Sequence, residues 1–117
     1  MKKQGALAAL AALSQENRLD VFRLLVEAGP EGLSAGSVAT TLKLAPNALT
    51  FHFDRLREAG LVTVRRDGRS MIYAAQFDQM NALISYLTES CCQGRAEKCA
   101  PAVPKADVRA ARKKETV

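Results

Sequence analysis

The hydrophobic pattern of this chain changes period in the middle of the sequence and then changes back. Apolar residues recur at helical spacing as far as Ala59. β-Prone residues follow on each side of Asp67-Gly68, a dipeptide that favours a two-residue hairpin turn because both positions tolerate positive φ. Helical spacing then returns from Phe77 to Glu89. The sequence therefore predicts a mainly helical fold, with about five helices, that carries a β-hairpin.

Four helices are predicted before the hairpin, over about residues 6–13, 14–28, 34–42 and 46–59. Ser14 and Ser34 are the predicted N-caps of the second and third helices. Pro46 suits the first turn of the fourth helix, where its missing N–H is no loss. The third and fourth helices form a helix-turn-helix unit, and a hairpin directly after such a unit is a wing. The predicted inward residues are Leu19, Phe22, Leu25 and Val26 in the second helix and Leu49, Phe53 and Leu56 in the fourth.

The fourth helix and the wing have the pattern of a DNA-reading surface. A helix that reads DNA keeps one apolar face on its own domain and offers polar side chains to the groove. The wing arginines suit contact with phosphates or with the minor groove. The alternative is that these polar residues are ordinary solvated faces. The predicted DNA-contacting residues are Asn47, Thr50, Phe51, His52, Arg55, Arg65, Arg66 and Arg69.

Individual roles within this set follow from side-chain chemistry. Asn47 can hydrogen-bond base edges, Thr50 can donate to a phosphate or touch a thymine methyl group, and Arg55 can pair with phosphate. His52 is the only histidine of the chain. It could contact phosphate, bind a metal, or pack within the helix-turn-helix unit. Because one His cannot build a metal site unaided, packing is the preferred interpretation.

Several classes of protein are excluded by the bulk properties of the chain. Its 117 residues leave room for one domain. No stretch approaches the ~18 apolar residues of a membrane span, so we expect a cytoplasmic protein without a membrane partner. One His, no paired carboxylates and no Gly-rich phosphate loop leave nothing for catalysis, so we expect no enzyme activity.

The net charge of +5 is a weak argument for a nucleic-acid partner because of where the charge lies. Residues 1–90 carry ten basic and nine acidic side chains, whereas residues 91–117 carry seven and three. Most of the excess is therefore in the C-terminal tail. The prediction of DNA binding depends on the helix and wing pattern instead.

Four stretches of the sequence have the motifs of a known family: Leu13–Leu25, Leu44–Phe53, Leu56–Val62, and Asp67-Gly68-Arg69 with Tyr73. Together, over about residues 7–92, they resemble the ArsR/SmtB family of metal-responsive repressors. Thr50 stands at the family's hydroxyl position, whereas Phe53 replaces its usual Leu. The resemblance implies a winged helix-turn-helix homodimer that represses transcription by binding double-stranded operator DNA. A two-fold dimer predicts an inverted repeat as the operator.

The resemblance also implies that the first and last helices form the dimer interface. The stripes Leu7/Leu10 and Met80/Leu83/Leu87 suit that role, although they could instead complete a monomer core. The family's Cys-x-Cys pair in the third helix is missing here, and the last helix has no His. The chain instead resembles the subgroup with Leu-Thr-Glu-x-Cys-Cys after the last helix, which is the segment Leu87–Cys92.

Three cysteines, Cys91, Cys92 and Cys99, lie within nine residues near the end of the chain. An odd number at one end argues against a disulfide framework. Trivalent arsenic or antimony prefers three sulfurs in a pyramid, whereas zinc normally takes four ligands. Neighbouring helical residues point about 100° apart, so Cys91 and Cys92 converge only if the helix ends there. Nearby Arg95 and Lys98 would favour the thiolates.

These inferences combine into a predicted organisation and function. Residues 1–92 form the winged helix-turn-helix domain, 91–99 the thiol segment that binds the effector, and 100–117 a disordered basic tail. The predicted protein represses an arsenic-resistance operon and leaves its operator when three thiolates bind As(III) or Sb(III), with no cofactor required. Two alternatives are a redox-sensing repressor and a thiol-based arsenic or metal-binding protein without specific DNA binding. A third is that the cysteines have no function.

Overall fold

Residues 1–94 are described by a computed structural model, which places a helix-turn-helix unit against a small sheet. The helices are α1 (Lys3–Leu13), α2 (Glu16–Ala28), α3 (Ala35–Leu42), α4 (Pro46–Glu58) and α5 (Phe77–Leu87). The strands are β1 (Leu33–Ser34), β2 (Val62–Asp67) and β3 (Ser70–Ala75). The five helices and the hairpin confirm the predicted fold class, while β1 was not predicted. None of the helices in residues 1–94 is long and apolar enough to cross a bilayer.

The junction between α1 and α2 depends on side-chain hydrogen bonds at residues 12–18. Gln15, not Ser14, is the N-cap of α2, and its side-chain oxygen accepts from the Arg18 backbone N–H at 2.8 Å. Ser14 instead ends α1, where its N–H donates to the Ala11 carbonyl. Arg18 Nε also donates to the Ala12 carbonyl at 2.6 Å. The predicted cap was therefore wrong by one residue, because Ser14 is needed for the turn.

The helix-turn-helix unit closes as its sequence indicates. Ser34 is the N-cap of α3 and accepts from the Ser37 N–H at 3.1 Å. Lys43 adopts a left-handed φ of 56° at the end of α3, which turns the chain toward α4. Pro46 occupies the first turn of α4, which confirms its predicted place.

The sheet has the strand order β1-β3-β2 and is antiparallel throughout. In the hairpin Asp67 pairs with Ser70, so the two loop residues are Gly68-Arg69 rather than the predicted Asp67-Gly68. Gly68 has a φ of +63°, as a type II′ turn requires at its first central position. Leu33 pairs with Tyr73 and joins β1 to the wing.

The core lies where α2, α3 and α4 meet the base of the wing. The predicted inward residues of α4, Leu49, Phe53 and Leu56, are all buried, and the Phe53 ring stacks on Tyr73 at 3.6 Å. Leu19 was wrongly placed in the core, since it is 44% exposed. The α2 core face carries Val21, which lies about 200° round the helix from Leu19.

Candidate nucleic-acid interface and thiol segment

One face of α4 is exposed along its whole length, opposite the side that packs on the core. The helix has 13 residues and is therefore about 20 Å long, enough to lie in a major groove. Spacings of three and four residues align the exposed side chains in one stripe. The exposed stripe consists of Asn47, Thr50, Phe51 and Asp54, while the buried side consists of Leu49, His52, Phe53 and Leu56.

Two predicted DNA-contacting residues, Asn47 and Thr50, lie near the start of α4. In each of them one polar group is already hydrogen-bonded within the helix. Thr50 Oγ1 donates to the Pro46 carbonyl at 3.0 Å. Of its two predicted roles, contact with a thymine methyl group keeps this bond intact, whereas donation to a phosphate would break it. Asn47 Oδ1 accepts from the Ala48 N–H at 3.0 Å, which leaves its NH₂ group as the donor for a base.

Arg55 and Phe51 are neighbours on the surface of α4. The Arg55 guanidinium lies 5.0 Å from the centroid of the Phe51 ring, and Arg55 Nη1 contacts Glu58 Oε2 at 3.2 Å. An exposed cation–π contact stabilises a protein by about 0.5–1 kcal/mol, and an exposed ion pair by a similarly small amount. A phosphate can therefore compete for Arg55, as its predicted role requires.

His52 lies inside the domain, so it is not one of the exposed residues that could contact DNA. Its side chain is 7% exposed, and its Nδ1 has no hydrogen-bond partner within residues 1–94. Burial first, and the positive charge of Arg18 second, lower the pKa of His52 below its ordinary value of 6.5. Burial removes the direct phosphate contact from consideration, and the packing interpretation of the sequence accounts for this histidine. No cluster of three or more metal-ligating side chains occurs in the described part of the chain.

The three wing arginines differ in how they are held. Arg65 Nη2 donates to the Glu31 carbonyl at 2.7 Å and so braces the wing against the loop before β1. Arg66 Nε donates to the Gly68 carbonyl at 3.3 Å, within the hairpin turn. Arg69 is exposed in the loop, where residues 1–94 give it no hydrogen bond or ion pair. Arg66 and Arg69 are thus the arginines at the tip, whereas Arg65 has a structural contact.

Asp54 was missing from the predicted DNA-contacting set. It is exposed on the same stripe as Asn47, seven residues away, where the helical spacing places it, although it was not counted among the predicted contacts. No ion pair engages its carboxylate within the described residues. A carboxylate on a groove-facing helix can accept a hydrogen bond from the amino group of cytosine.

The exposed apolar residues of the first and last helices follow the predicted stripes only in part. Leu7 and Leu10 of α1 are 54% and 41% exposed, and Leu87 of α5 is 58% exposed. Ala6, Ala9 and Ala12 form the buried side of α1, a helix that packs against α2, α4 and α5. Leu83, in contrast, is buried, and Met80 packs against the core. Each helix therefore divides into a core side and an exposed apolar side.

A second unit of the chain begins at Thr88, and it contains Cys91 and Cys92 of the thiol segment. The chain leaves helical geometry there, with left-handed φ values of 57° at Ser90 and 56° at Cys92. The Cys91 and Cys92 sulfur atoms lie 3.3 Å apart. The two thiols thus converge where the backbone has left the helix, as the sequence required. The helix α5 ends at Leu87, two residues before the predicted end at Glu89. Cys99, Arg95, Lys98 and the predicted tail 100–117 lie outside the described residues.

Comparison with known proteins gives matches in sequence and in structure. A family model described as a helix-turn-helix domain matches residues 13–65. The transcriptional activator HlyU of Vibrio cholerae serotype O1 is 32% identical over 95 residues, which are 80% of this chain and 85% of that protein. The HTH-type transcriptional regulator YgaV of Escherichia coli K12 is 32% identical over 87 residues, or 74% of this chain and 86% of that protein.

A solved structure extends the likeness to nearly the whole chain. The ArsR-like transcriptional regulator from Rhodococcus sp. RHA1 has a TM-score of 0.68 and 26% identity, and the match covers 97% of this chain and 93% of that one. These relatives are regulators with DNA-binding folds and not enzymes, in agreement with the prediction. The chain belongs to the ArsR family of winged helix-turn-helix transcriptional regulators.

Proposed function

We propose that this regulator is a homodimeric repressor of an arsenic-resistance operon, and that it leaves its operator when Cys91, Cys92 and Cys99 bind As(III). Family membership supports the regulatory part of this proposal. The observation that carries the effector part is the 3.3 Å separation of the Cys91 and Cys92 sulfur atoms. Neighbouring residues bring their thiols together only where the backbone leaves the helix, as it does here.

DNA binding is assigned to the exposed stripe of α4 and to the wing tip. α4 would lie in the major groove with Asn47 and Thr50 against base edges. Arg55 would contact phosphate, and Arg66 and Arg69 would contact phosphate or the minor groove. The exposed stripe mixes donors, an acceptor and an aromatic ring, which is a composition that suits base edges better than a uniformly charged surface would.

A second copy of the chain is the proposed partner for the apolar side of α1 and α5. Leu7, Leu10 and Leu87 each expose two-fifths or more of their surface on two helices that pack together. Large apolar side chains exposed on two packed helices suit an interaction surface. A two-fold dimer would hold two α4 helices about one DNA turn apart and match an inverted repeat.

Arsenite binding is proposed to use all three thiols of the chain. Arsenous acid, As(OH)₃, would exchange its three hydroxyl groups for three thiolate sulfurs, and each exchange consumes one thiol proton and releases one water. Cys91 and Cys92 would hold two positions of the pyramid, and Cys99, seven residues after Cys92, the third. Antimonite has the same coordination chemistry. Binding would join Cys99 to Cys91 and Cys92 through one arsenic atom and shift the dimer, with a typical coupling of about 1–3 kcal/mol.

The sulfur separation also favours a second candidate, a redox-sensing repressor. Peroxide could oxidise two thiols to a disulfide, taking up two electrons and two protons and leaving as two waters. Adjacent residues have Cα atoms about 3.8 Å apart, below the usual disulfide range of about 4.4–6.8 Å. Oxidation would therefore pair Cys99 with one of the two neighbours. The third candidate, an arsenic-binding carrier without specific DNA binding, is not supported by the family to which this chain belongs, because the relatives are transcriptional regulators.

The proposal is tested by fluorescence anisotropy, at a fixed salt concentration and in reductant. The DNA is the region upstream of the gene that encodes this protein. Arsenite is added to the wild type and to Cys91→Ser, Cys92→Ser and Cys99→Ser, with Ser90→Ala as the matched control in the same turn. We expect arsenite to release the wild type and Ser90→Ala while the three serine variants stay bound. Release by peroxide but not by arsenite would favour the redox candidate. Absence of specific binding in every protein would contradict the repressor itself.

A further inference from the structure

We propose that Phe51 reads the 5-methyl group of one thymine in each half-site of the operator, an inference that rests on the DNA binding proposed above. Phe51 is 51% exposed, although a large aromatic side chain is normally kept from water. Among the described residues it is the one exposed large apolar side chain on α4. The others lie on α1, α2, β3 and α5 and at the N-terminus.

The position of Phe51 on the helix points to base edges and not to the domain. Phe51 lies about 40° round the helix from Asn47 and about 60° from Asp54, and so within the exposed stripe. The buried residue Leu56 lies about 140° away from it. The major groove presents donors and acceptors on every base pair, and its apolar group is the thymine methyl. An aromatic ring between polar readers matches that group.

The Phe51 ring is held on two sides before any DNA arrives. The Arg55 guanidinium lies 5.0 Å from its centroid, and Glu58 in turn contacts Arg55 at 3.2 Å. The His52 ring meets it edge-on, with centroids 6.0 Å apart and an interplanar angle of 67°. Both contacts restrict the rotation of the ring in the free protein, and a restricted side chain loses less entropy on binding. The same Arg55 brings positive charge close to the DNA backbone.

Replacing thymine by uracil removes only the 5-methyl group and tests this assignment directly. Wild-type protein first selects its binding motif from a random duplex library, and each thymine of that motif is then replaced singly by uracil. We expect about fourfold weaker binding at one thymine per half-site, which is the effect of one buried methyl group. Phe51→Ala should bind the thymine and uracil versions of that position equally. Leu19→Ala, which shortens an exposed apolar residue on α2, should discriminate as the wild type does.

Three results would overturn the assignment while leaving the DNA-binding proposal intact. If the wild-type protein binds every uracil-substituted site with unchanged affinity, Phe51 does not read a thymine methyl group. Discrimination that survives in a folded Phe51→Ala, checked by circular dichroism, would assign the methyl contact to another residue, with Thr50 next in line. Loss of the dimer in Phe51→Ala, seen by sedimentation, would make Phe51 an interface residue. If the wild type selects no motif at all, the DNA-binding proposal fails and this inference fails with it, so the two failures are distinguishable.

Discussion

At the scale of single residues, Gly32 shows how closely the chain packs beside the sheet. It precedes β1 with a φ of +74°, and a Cβ placed on it would overlap the carbonyl oxygen of Tyr73 on β3. Gly68 in the wing turn has a similar φ of +63° but nothing within 4 Å of its Cβ position. The two glycines therefore share a backbone conformation that would strain any other residue, and they differ in the space around the Cβ position.

Gly32→Ala is expected to lower the free energy of unfolding more than Gly68→Ala does. Positive φ costs either alanine about 1–2 kcal/mol. Overlap with backbone should add about 1–3 kcal/mol at position 32 alone, because a carbonyl in a sheet cannot rotate away. Urea denaturation of the two variants measures the difference. Equal losses would mean that the β1–β3 approach is looser than the structure indicates.

His52 makes a second prediction at this scale, for the pH dependence of stability. Burial and Arg18 lower its pKa in the folded protein, so the unfolded chain binds the proton first as the pH falls. The contribution of His52 to the free energy of unfolding is fully present above about pH 6.5. It is lost as the pH drops toward the folded-state pKa.

We expect the wild type to lose more stability than His52→Gln between about pH 7.5 and pH 5, a window above most carboxylate titrations. Gln keeps a polar side chain of similar length but cannot take up the proton. Thermal melts of both proteins across this range give the comparison. Parallel curves would show that protonation of His52 does not oppose folding.

At the scale of elements, the Phe53–Tyr73 stack fixes α4 on the wing. The rings lie 3.6 Å apart between centroids, with planes 3° from parallel, and join α4 to β3. Aromatic pairs contribute about 0.5–1.5 kcal/mol beyond the area that they bury. A double-mutant cycle with Phe53→Leu and Tyr73→Leu should return a coupling of that size from urea denaturation. Additive losses would mean that each ring packs on its own surroundings and not on the other.

Local chemistry was enough to predict most elements, and long-range contacts explain the rest. Ser34 and Pro46 act on their own neighbours, so their sequence signals hold in the structure, and Gly68 marks the hairpin turn to within one residue. The strand β1 has two residues and exists only because it pairs with β3, 40 residues along the chain. No periodicity can develop in so short a segment. The same limit applies to Leu19, whose exposure depends on where the partners of α2 lie.

At the scale of the whole molecule, sequence patterns located the candidate surfaces but could not say which side chains are already engaged. Helical spacing placed Asn47, Thr50 and Phe51 on one exposed face of α4. The bond from Arg65 to the Glu31 carbonyl joins residues 34 apart, and no local rule predicts it. Similarly, the apolar stripe on α5 divides between core and surface according to how α1 packs beside it.

The exposed side of that stripe leads to the last prediction, that Leu87→Ala weakens a homodimer. Leu87 is 58% exposed, and two-fold symmetry brings both copies into one interface. Covering the exposed part of two leucines is worth roughly 2–3 kcal/mol, so the dimer dissociation constant should rise about 30- to 150-fold. Sedimentation equilibrium measures this constant, and Leu19→Ala on α2, with 44% exposure, is the matched control. If both variants dimerise like the wild type, the second copy covers a different surface, and the two α4 helices would then require another spacing on DNA.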